Sequence, residues 1–271
     1  MAQSPFGRDG KIVLSIAEDL RKAEEAFLFL DFDGTIVPLR KTPSRAVLSG
    51  RMRNLLLRLA RLRGTTLGII TGRSLADIRK HVNIPGMVLA ANHGFEILLD
   101  TQEWVHPGAG RLAHRLTALT GALKQQLRHI PRAFVENKRV TLSVHYRNVS
   151  PARVDEVRKT VRAVVRRERL PVRITNGKKV MEVRPAASWG KGHALRKILT
   201  TLSRSRSRWM VYCGDDDTDE DAFRLLPASA VTIRVGKTRK TKARYSVRSV
   251  SDVYRFLTVV ESTRREKRPS R

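Results

Sequence analysis

FLFLDFDGTIVPL spans residues 27–39. An apolar run passes straight into Asp31 and Asp33, followed by Gly34, Thr35 and Pro38. Such a short continuous apolar run is what a central parallel strand shows when both of its faces are covered. Residues i and i+2 share a face of a strand, so the two carboxylates can reach one cavity as the strand frays into Gly34. Two like charges at that spacing raise each other's pKa and oppose folding unless a cation or a chemical task offsets them. An Asp-Gly turn with a local side-chain cap is the simpler alternative for an isolated DFDGT.

Working outward, strands and helices alternate. A helix over 11–26 leads in, and AFLFLDF (26–32) is the first strand. SRAVLSGRMRNLLLRLARLR (44–63) carries Met52, Leu55, Leu56, Leu59 and Leu62 on one helical face. TTLGIITGR (65–73) is a second buried strand, SLADIRKHV (74–82) a helix capped by Ser74 with Asp77, and MVLAANHG (87–94) a third strand. FEILLDTQEWVHP (95–107) has the pattern of a hairpin. The sequence then changes character. A helix (110–130), two alternating strands (133–147), a helix with Val154, Val157, Val161 and Val164 on one face (151–167) and a hairpin turning at Asn176-Gly177 (171–185) make an α+β unit. The α/β pattern returns with a helix at 189–202, the strand and acidic loop of RWMVYCGDDDTDEDAF (208–223), a strand at 229–236 and a helix at 249–262. The expected fold is α/β. A Rossmann-like parallel-sheet core (1–107 and 186–271) is interrupted by an α+β cap (108–185), and the basic end 263–271 is expected to be disordered.

Composition narrows the function classes. With 54 Lys+Arg against 25 Asp+Glu, the net charge is +29. The basic residues are spread along the whole chain, so a dedicated nucleic-acid partner is not expected, and an acidic small substrate fits as well. One cysteine, Cys213, excludes an internal disulfide and a cysteine metal cluster, and is expected in the core. No run approaches ~18 apolar residues, so no membrane span is expected. The N-terminus lacks an apolar signal core, and a cytoplasmic protein is expected, with a monomer favoured.

Four motifs fall at the carboxyl ends of strands or at helix starts, where open α/β sheets take ligands. Beside Asp31 and Asp33 stands GDDDTDED (214–221), with six acids in eight residues. Capping, with Thr218 and Asp221 as the pair, accounts for two or three of them. An oxygen-rich cluster suits Mg²⁺. Thr71-Gly72-Arg73-Ser74 offers a hydroxyl, a glycine amide and a helix N-terminus to an anion. Lys191 sits between two glycines in WGKG. Together these are the parts of a magnesium-dependent phosphoryl-transfer site, in which a carboxylate can form an aspartyl-phosphate.

The order DFDGT, TGR, lysine, GDDDTDE resembles the haloacid dehalogenase-like phosphatase superfamily. ANHGFEI, VENK, LSVHYR, MEVRP and WGKG look, more narrowly, like the trehalose-6-phosphate phosphatase family, over residues 26–259. The resemblance implies an Mg²⁺-dependent phosphatase acting on a sugar phosphate. It implies Asp31 as nucleophile and Asp33 as general acid and base. Asp31, the carbonyl of Asp33 and Asp215 would hold the metal, with Asp216 and Asp219 as ligands or supports. Thr71, Gly72 and Lys191 would hold the phosphate, and Glu136, Lys138 and Glu182 the sugar hydroxyls. A cross-strand ion pair is the alternative for Glu136 and Lys138. His93, His145 and Arg147 stay open between function and structure. Two positions depart from the family pattern, Gly190 before the lysine and Asn92 before His-Gly. Rival substrates are glucosylglycerol phosphate, sucrose phosphate and a mannosylglycerate phosphate. A basic nucleic-acid-binding protein would leave the carboxylate pair unexplained.

Overall fold

The computed structural model describes residues 2–6, 11–40, 45–237 and 240–267. In chain order the elements are α1 (Lys11–Lys22), β1 (Glu25–Leu30), α2 (Gly50–Ala60), β2 (Thr65–Ile70), α3 (Leu75–Val82), β3 (Val88–Ala91), β4 (Glu96–Leu99) and β5 (Gln102–Val105). There follow α4 (Pro107–Gly110), α5 (Ala113–Leu127), β6 (Phe134–Asn137), β7 (Leu142–His145), α6 (Val154–Arg167), β8 (Val172–Gly177) and β9 (Val180–Pro185). The chain ends with α7 (Lys191–Leu202), β10 (Arg208–Gly214), α8 (Asp217–Leu225), β11 (Val231–Val235), β12 (Tyr245–Val247) and α9 (Val250–Glu266). Two compact units result, Met1–Trp104 with Trp189–Arg271, and Val105–Ser188.

The first unit is built on an eight-stranded sheet ordered β12-β11-β10-β1-β2-β3-β4-β5. From β12 to β3 all neighbours are parallel, and β4 pairs antiparallel with β3. β1 explains why the opening run has no polar alternation. Leu28 and Leu30 face one cluster, with Leu55 and Leu59 of α2 and Phe256 of α9. Phe27 and Phe29 face the other, with Leu195 of α7 and Phe223 of α8. Both faces are therefore covered, and each wholly buried phenylalanine stabilises the fold by about 1.5–3 kcal/mol. The chain runs outward from β1 to β2 and β3, then returns to β10 on the other side of β1. This makes β1–β10 the switch point of the sheet, where the carboxyl ends of two strands open a crevice.

The second unit carries the sheet β6-β7-β9-β8 with antiparallel pairing throughout. Val135, Val144, Met181 and Val183 bury one face against Leu116, Leu119 and Leu123 of α5 and Val157, Val161 and Val164 of α6. The other face is polar.

Three expectations fail locally. Asn176 and Gly177 are not the turn of the β8–β9 hairpin. Gly177 pairs with Val180, so Lys178 and Lys179 turn the chain, with Lys179 at φ 68°. The basic end is not disordered over 263–267. α9 continues to Glu266, and the Arg264 guanidinium donates to the carbonyls of Ala23, Glu24, Arg63 and Gly64. The rest of that tail, 268–271, lies outside the described residues. Thr218 is not the cap of α8. Asp216 takes that place in a capping box with Asp219, because Asp219 Oδ2 reaches back to the Asp216 amide. Among the described residues, no helix is long and apolar enough to cross a membrane.

Candidate active site

Asp31 follows β1 and is 4% exposed. Its amide donates to the Cys213 carbonyl of β10, which keeps it in the sheet for one residue beyond the strand. Its carboxylate Oδ1 accepts from Lys191 Nζ at 2.7 Å. The same ammonium donates to Asp219 Oδ1, also at 2.7 Å. Lys191 opens α7 and is 3% exposed. Burial pushes the ammonium pKa down, but Asp219 and Asp31 raise it and win, so Lys191 stays charged. For Asp31 the balance runs the other way. Burial raises its pKa first, Asp219, Asp215 and Asp216 add to the rise, and Lys191 alone opposes it. The cluster has more carboxylates than the one lysine offsets.

Asp219 is wholly buried and fully engaged. Oδ1 takes Lys191 and the Tyr212 hydroxyl, at 2.5 Å, while Oδ2 takes the amides of Asp215 and Asp216 at 2.9 and 3.0 Å. It therefore shapes the acidic loop and anchors the lysine. Asp216 caps α8 by accepting from Thr218, whose amide and hydroxyl donate to Asp216 Oδ1 at 2.6 and 2.7 Å. Asp215 leans over the β1 loop, since a methyl group on Gly34 would meet its Oδ2 at 2.3 Å. Gly34 also sits at φ 88°, so glycine is required there twice over. Carboxylate oxygens of Asp31, Asp215 and Asp219 lie within 4.8 Å of one another. An all-oxygen set beside surplus negative charge fits a hard divalent cation such as Mg²⁺. With Asp219 occupied by four donors, Asp31 and Asp215 are the side chains suited to it.

Asp33 is held from the other side. Arg73 grips it with two bonds, Nε to Oδ2 at 2.7 Å and Nη2 to Oδ1 at 2.8 Å. Nη1 of the same guanidinium donates to Asp77 on α3 at 2.6 Å, and the group lies over the Phe32 ring. Arg73 is 7% exposed, and burial of so large a cation is tolerated because both carboxylates hold it charged. This clamp escaped the sequence reading. In the sequence TGR reads as an anion turn, and nothing there ties residue 73 to residue 33. Thr71, buried at the end of β2, accepts from the Arg73 amide through Oγ1 at 3.2 Å. Gly72 is packed against the His93 ring, where any Cβ would come within 2.6 Å of two ring atoms. Asn92, His93 and Gly94 all take positive φ, of 49°, 58° and 90°. That left-handed run returns the chain onto the β2 turn, with the amides of Asn92 and His93 donating to Arg73 and Thr71 carbonyls. Trp189 fixes the same run from α7's entry by donating to the Gly94 carbonyl at 2.8 Å. Asp31, Asp33, Thr71, Gly72, Lys191 and Asp215 thus all lie in the first unit at the β1, β2 and β10 ends. Cys213 is buried core, its thiol pKa pushed up by burial.

Glu136, Lys138 and Glu182 come together in the second unit. The register sets Glu136 opposite Ser143 and Ser143 opposite Glu182, one row across the polar face. Glu182 takes Lys138 Nζ at 3.4 Å, Ser143 Oγ at 3.5 Å and Arg184 Nε at 3.0 Å. Glu136 is paired with His145 at 2.8 Å, and the His145 ring stacks on Phe134. The face offers carboxylate acceptors beside ammonium, guanidinium and hydroxyl donors, the mixture that hydroxyl-rich molecules demand. Arg184 and Ser143 were not foreseen. Their alternation with Glu182 and His145 along the strands is the signal that could have found them. Arg147 donates to the Lys178 carbonyl and serves the β8–β9 turn.

The Trehalose-phosphatase family model matches residues 29–251. The chain is 34% identical over 274 residues to probable trehalose-phosphate phosphatase D of Arabidopsis thaliana, covering 95% of this chain and 72% of that protein. It is 36% identical over 263 residues to the trehalose-phosphate phosphatase of Mycobacterium tuberculosis H37Rv, covering 94% and 65%. The chain therefore spans about two thirds of the length of the curated relatives it matches. Among solved structures it resembles the Aspergillus fumigatus trehalose-6-phosphate phosphatase, with TM-score 0.64, 26% identity and coverage of 92% and 97%. A haloacid dehalogenase-like hydrolase from Bacteroides thetaiotaomicron shares the fold, with TM-score 0.58, 13% identity and coverage of 87% and 98%. With acids, lysine and TGR turn gathered at the switch point of a haloacid dehalogenase-like sheet, and a family match running across both units, this chain belongs to the trehalose-phosphatase family.

Proposed function

We propose that the chain hydrolyses trehalose 6-phosphate to trehalose and phosphate through an aspartyl-phosphate on Asp31. Membership of the family makes it a phosphoric monoester hydrolase. The observation that carries the residue roles is Lys191, whose ammonium touches Asp31 and Asp219 at 2.7 Å each in a buried cluster of excess carboxylates. A site that stores unbalanced charge at a strand end is built for a phosphoryl group and its cation.

In the first step an Asp31 oxygen attacks phosphorus. The bond from phosphorus to the sugar oxygen breaks, and Asp33 gives that oxygen a proton. In the second step water attacks the same phosphorus, Asp33 takes the water's proton, and phosphate leaves Asp31 free. Lys191, the Thr71 hydroxyl and the Gly72 amide hold the phosphate oxygens. Asp31, the Asp33 carbonyl and Asp215 would hold Mg²⁺, which supplies positive charge to the phosphoryl oxygens and favours the ionised form of Asp31. Arg73 aims the Asp33 carboxylate and must yield it when the leaving oxygen needs its proton.

Residues 108–185 act as the cap that selects the sugar, with Glu136, Lys138 and Glu182 meeting its hydroxyls. A cytoplasmic setting agrees with the single buried thiol. A panel of sugar phosphates tests this reading. Glu182→Gln should raise KM for trehalose 6-phosphate by about tenfold with a smaller change in kcat, as loss of a charged hydrogen-bond partner implies. Equal turnover of glucosylglycerol, sucrose and trehalose phosphates, insensitive to that change, overturns the assignment.

A further inference from the structure

We propose that the cavity bordered by α8, the β11–β12 connection and β12 is an anion site for a small oligophosphate. It is an open cleft of about 830 Å³, within the range of small-molecule clefts. Six of its fourteen lining residues are basic: Arg224, Lys237, Lys240, Lys242, Arg244 and Arg248. The whole chain has 54 in 271, so the wall is about twice as rich in cations as the molecule's average. Among the described residues one acid, Glu220, lies in the wall, and it is already engaged. Its Oε1 takes Arg234 at 3.1 Å and its Oε2 the Lys242 amide at 2.7 Å. Arg244 stacks over Tyr245 and donates to the Ala228 and Ala230 carbonyls, which orients the guanidinium without neutralising it. Lys237, Lys242 and Arg248 are exposed side chains that form no ion pair among the described residues.

Arg224 is ion-paired with Asp221, but gathering Lys237, Lys242 and Arg248 around one concavity costs electrostatic free energy that no acid among the described residues of the wall returns. A ligand with several closely spaced negative charges would return it. A single phosphate engages two or three of the groups, whereas a chain of phosphates spans them. Gly236, Lys237 and Arg248 bring one rim of the cavity to the carboxyl ends of β11 and β12, on the same edge of the sheet as Asp31, while Arg244 marks the rim nearer their amino ends. None of the residues assigned to the reaction lines this cavity. α8 joins the two places, with Asp219 in its first turn facing Lys191 and the adjacent Glu220 facing the cavity.

The test is isothermal titration of the full chain, free of metal and at ~0.15 M salt where exposed charges are screened. Tripolyphosphate and adenosine triphosphate are the probes. Binding of either at one per chain is expected, with adenosine triphosphate the tighter if the base contributes. Lys237→Glu/Lys242→Glu/Arg248→Glu should weaken it by about tenfold or more, through loss and reversal of charge-assisted hydrogen bonds. The milder Lys237→Gln/Lys242→Gln/Arg248→Gln should weaken it less. The matched reversal Lys159→Glu/Arg162→Glu/Arg166→Glu on α6 should leave it within about twofold. Lys191→Met should leave it unchanged, which separates this cavity from the phosphatase site. Absence of binding by both probes overturns the proposal. So does equal weakening by the α6 reversal, loss with Lys191→Met, or binding of single-stranded RNA alone.

Discussion

Removing the charge of Asp219 and removing the charge of Asp31 should have different consequences for stability, although both touch the same lysine. Asp219 is wholly buried and takes four donors. An asparagine there offers one oxygen, so either Lys191 and Tyr212 or the two loop amides meet an NH₂ group instead of an acceptor. Each buried donor left without an acceptor costs about 1–3 kcal/mol. Lys191 keeps Asp31, which spares part of the penalty for breaking a buried ion pair, about 3–5 kcal/mol in full. With two donors left unmatched, Asp219→Asn should therefore lose about 2–6 kcal/mol. Asp31→Asn also deprives Lys191 of one charged partner. It removes at the same time a buried carboxylate that Asp219, Asp215 and Asp216 repel. The two effects oppose, and the net change should stay within about 1 kcal/mol. Urea unfolding with chelator at pH 7 measures both. The chain's three tryptophans, Trp104, Trp189 and Trp209, all lie in the first unit, so their fluorescence reports the unit that holds the cluster. A loss near 3 kcal/mol for Asp31→Asn, equal to that of Asp219→Asn, would refute the reasoning. Asp31 would then be a structural partner of Lys191 and not a residue kept at a cost to stability.

Other predictions concern the clamp and the second unit. Arg73→Lys replaces a two-pronged grip on Asp33 by a point charge, so kcat should fall about tenfold or more with KM nearly unchanged; an unchanged kcat would remove Arg73 from the account. His106 caps α4 through Nδ1, and burial, with Arg111 adding, lowers its pKa below the usual 6.5. The unfolded chain then binds the proton first as pH falls. The neutral imidazole's contribution is complete above about pH 7 and is lost as pH drops through the folded pKa. His106→Asn keeps a capping oxygen without the titration. Wild type should therefore lose stability relative to it between about pH 7 and 5, by far-ultraviolet circular dichroism. A parallel pH profile for the two would contradict the sign.

What was legible in the sequence followed from burial and period. FLFLDFDG announces β1 because a strand covered on both faces has no room for alternation, and the two acids stand out against it. The polar face of the second unit was legible in VENK, LSVHYR and MEVRP by alternation alone. Its pairings were not, since Glu136 meets His145 and Lys138 meets Glu182 through a register that hydrophobicity does not state. β12 went unseen because Tyr245–Val247 is three residues long and its pattern carries no period. The cap of α8 was misread by two positions because several neighbouring acids can each cap, and only Asp219's reach back to the Asp216 amide chooses among them. The Arg73 clamp joins residues that are distant in sequence. The basic end reads as a solvated run, because no pattern in the sequence states that Arg264 collects four carbonyls.

Phosphate release from trehalose 6-phosphate is the measurement that bears most directly on the central claim. It should be followed with Mg²⁺ and with chelator, in the wild-type chain and in Asp31→Asn. The account predicts release with Mg²⁺, little with chelator, and none above background in Asp31→Asn, even where that variant is folded and as stable as the parent. Undiminished release in Asp31→Asn, or no release by the folded wild-type chain with Mg²⁺, would contradict it.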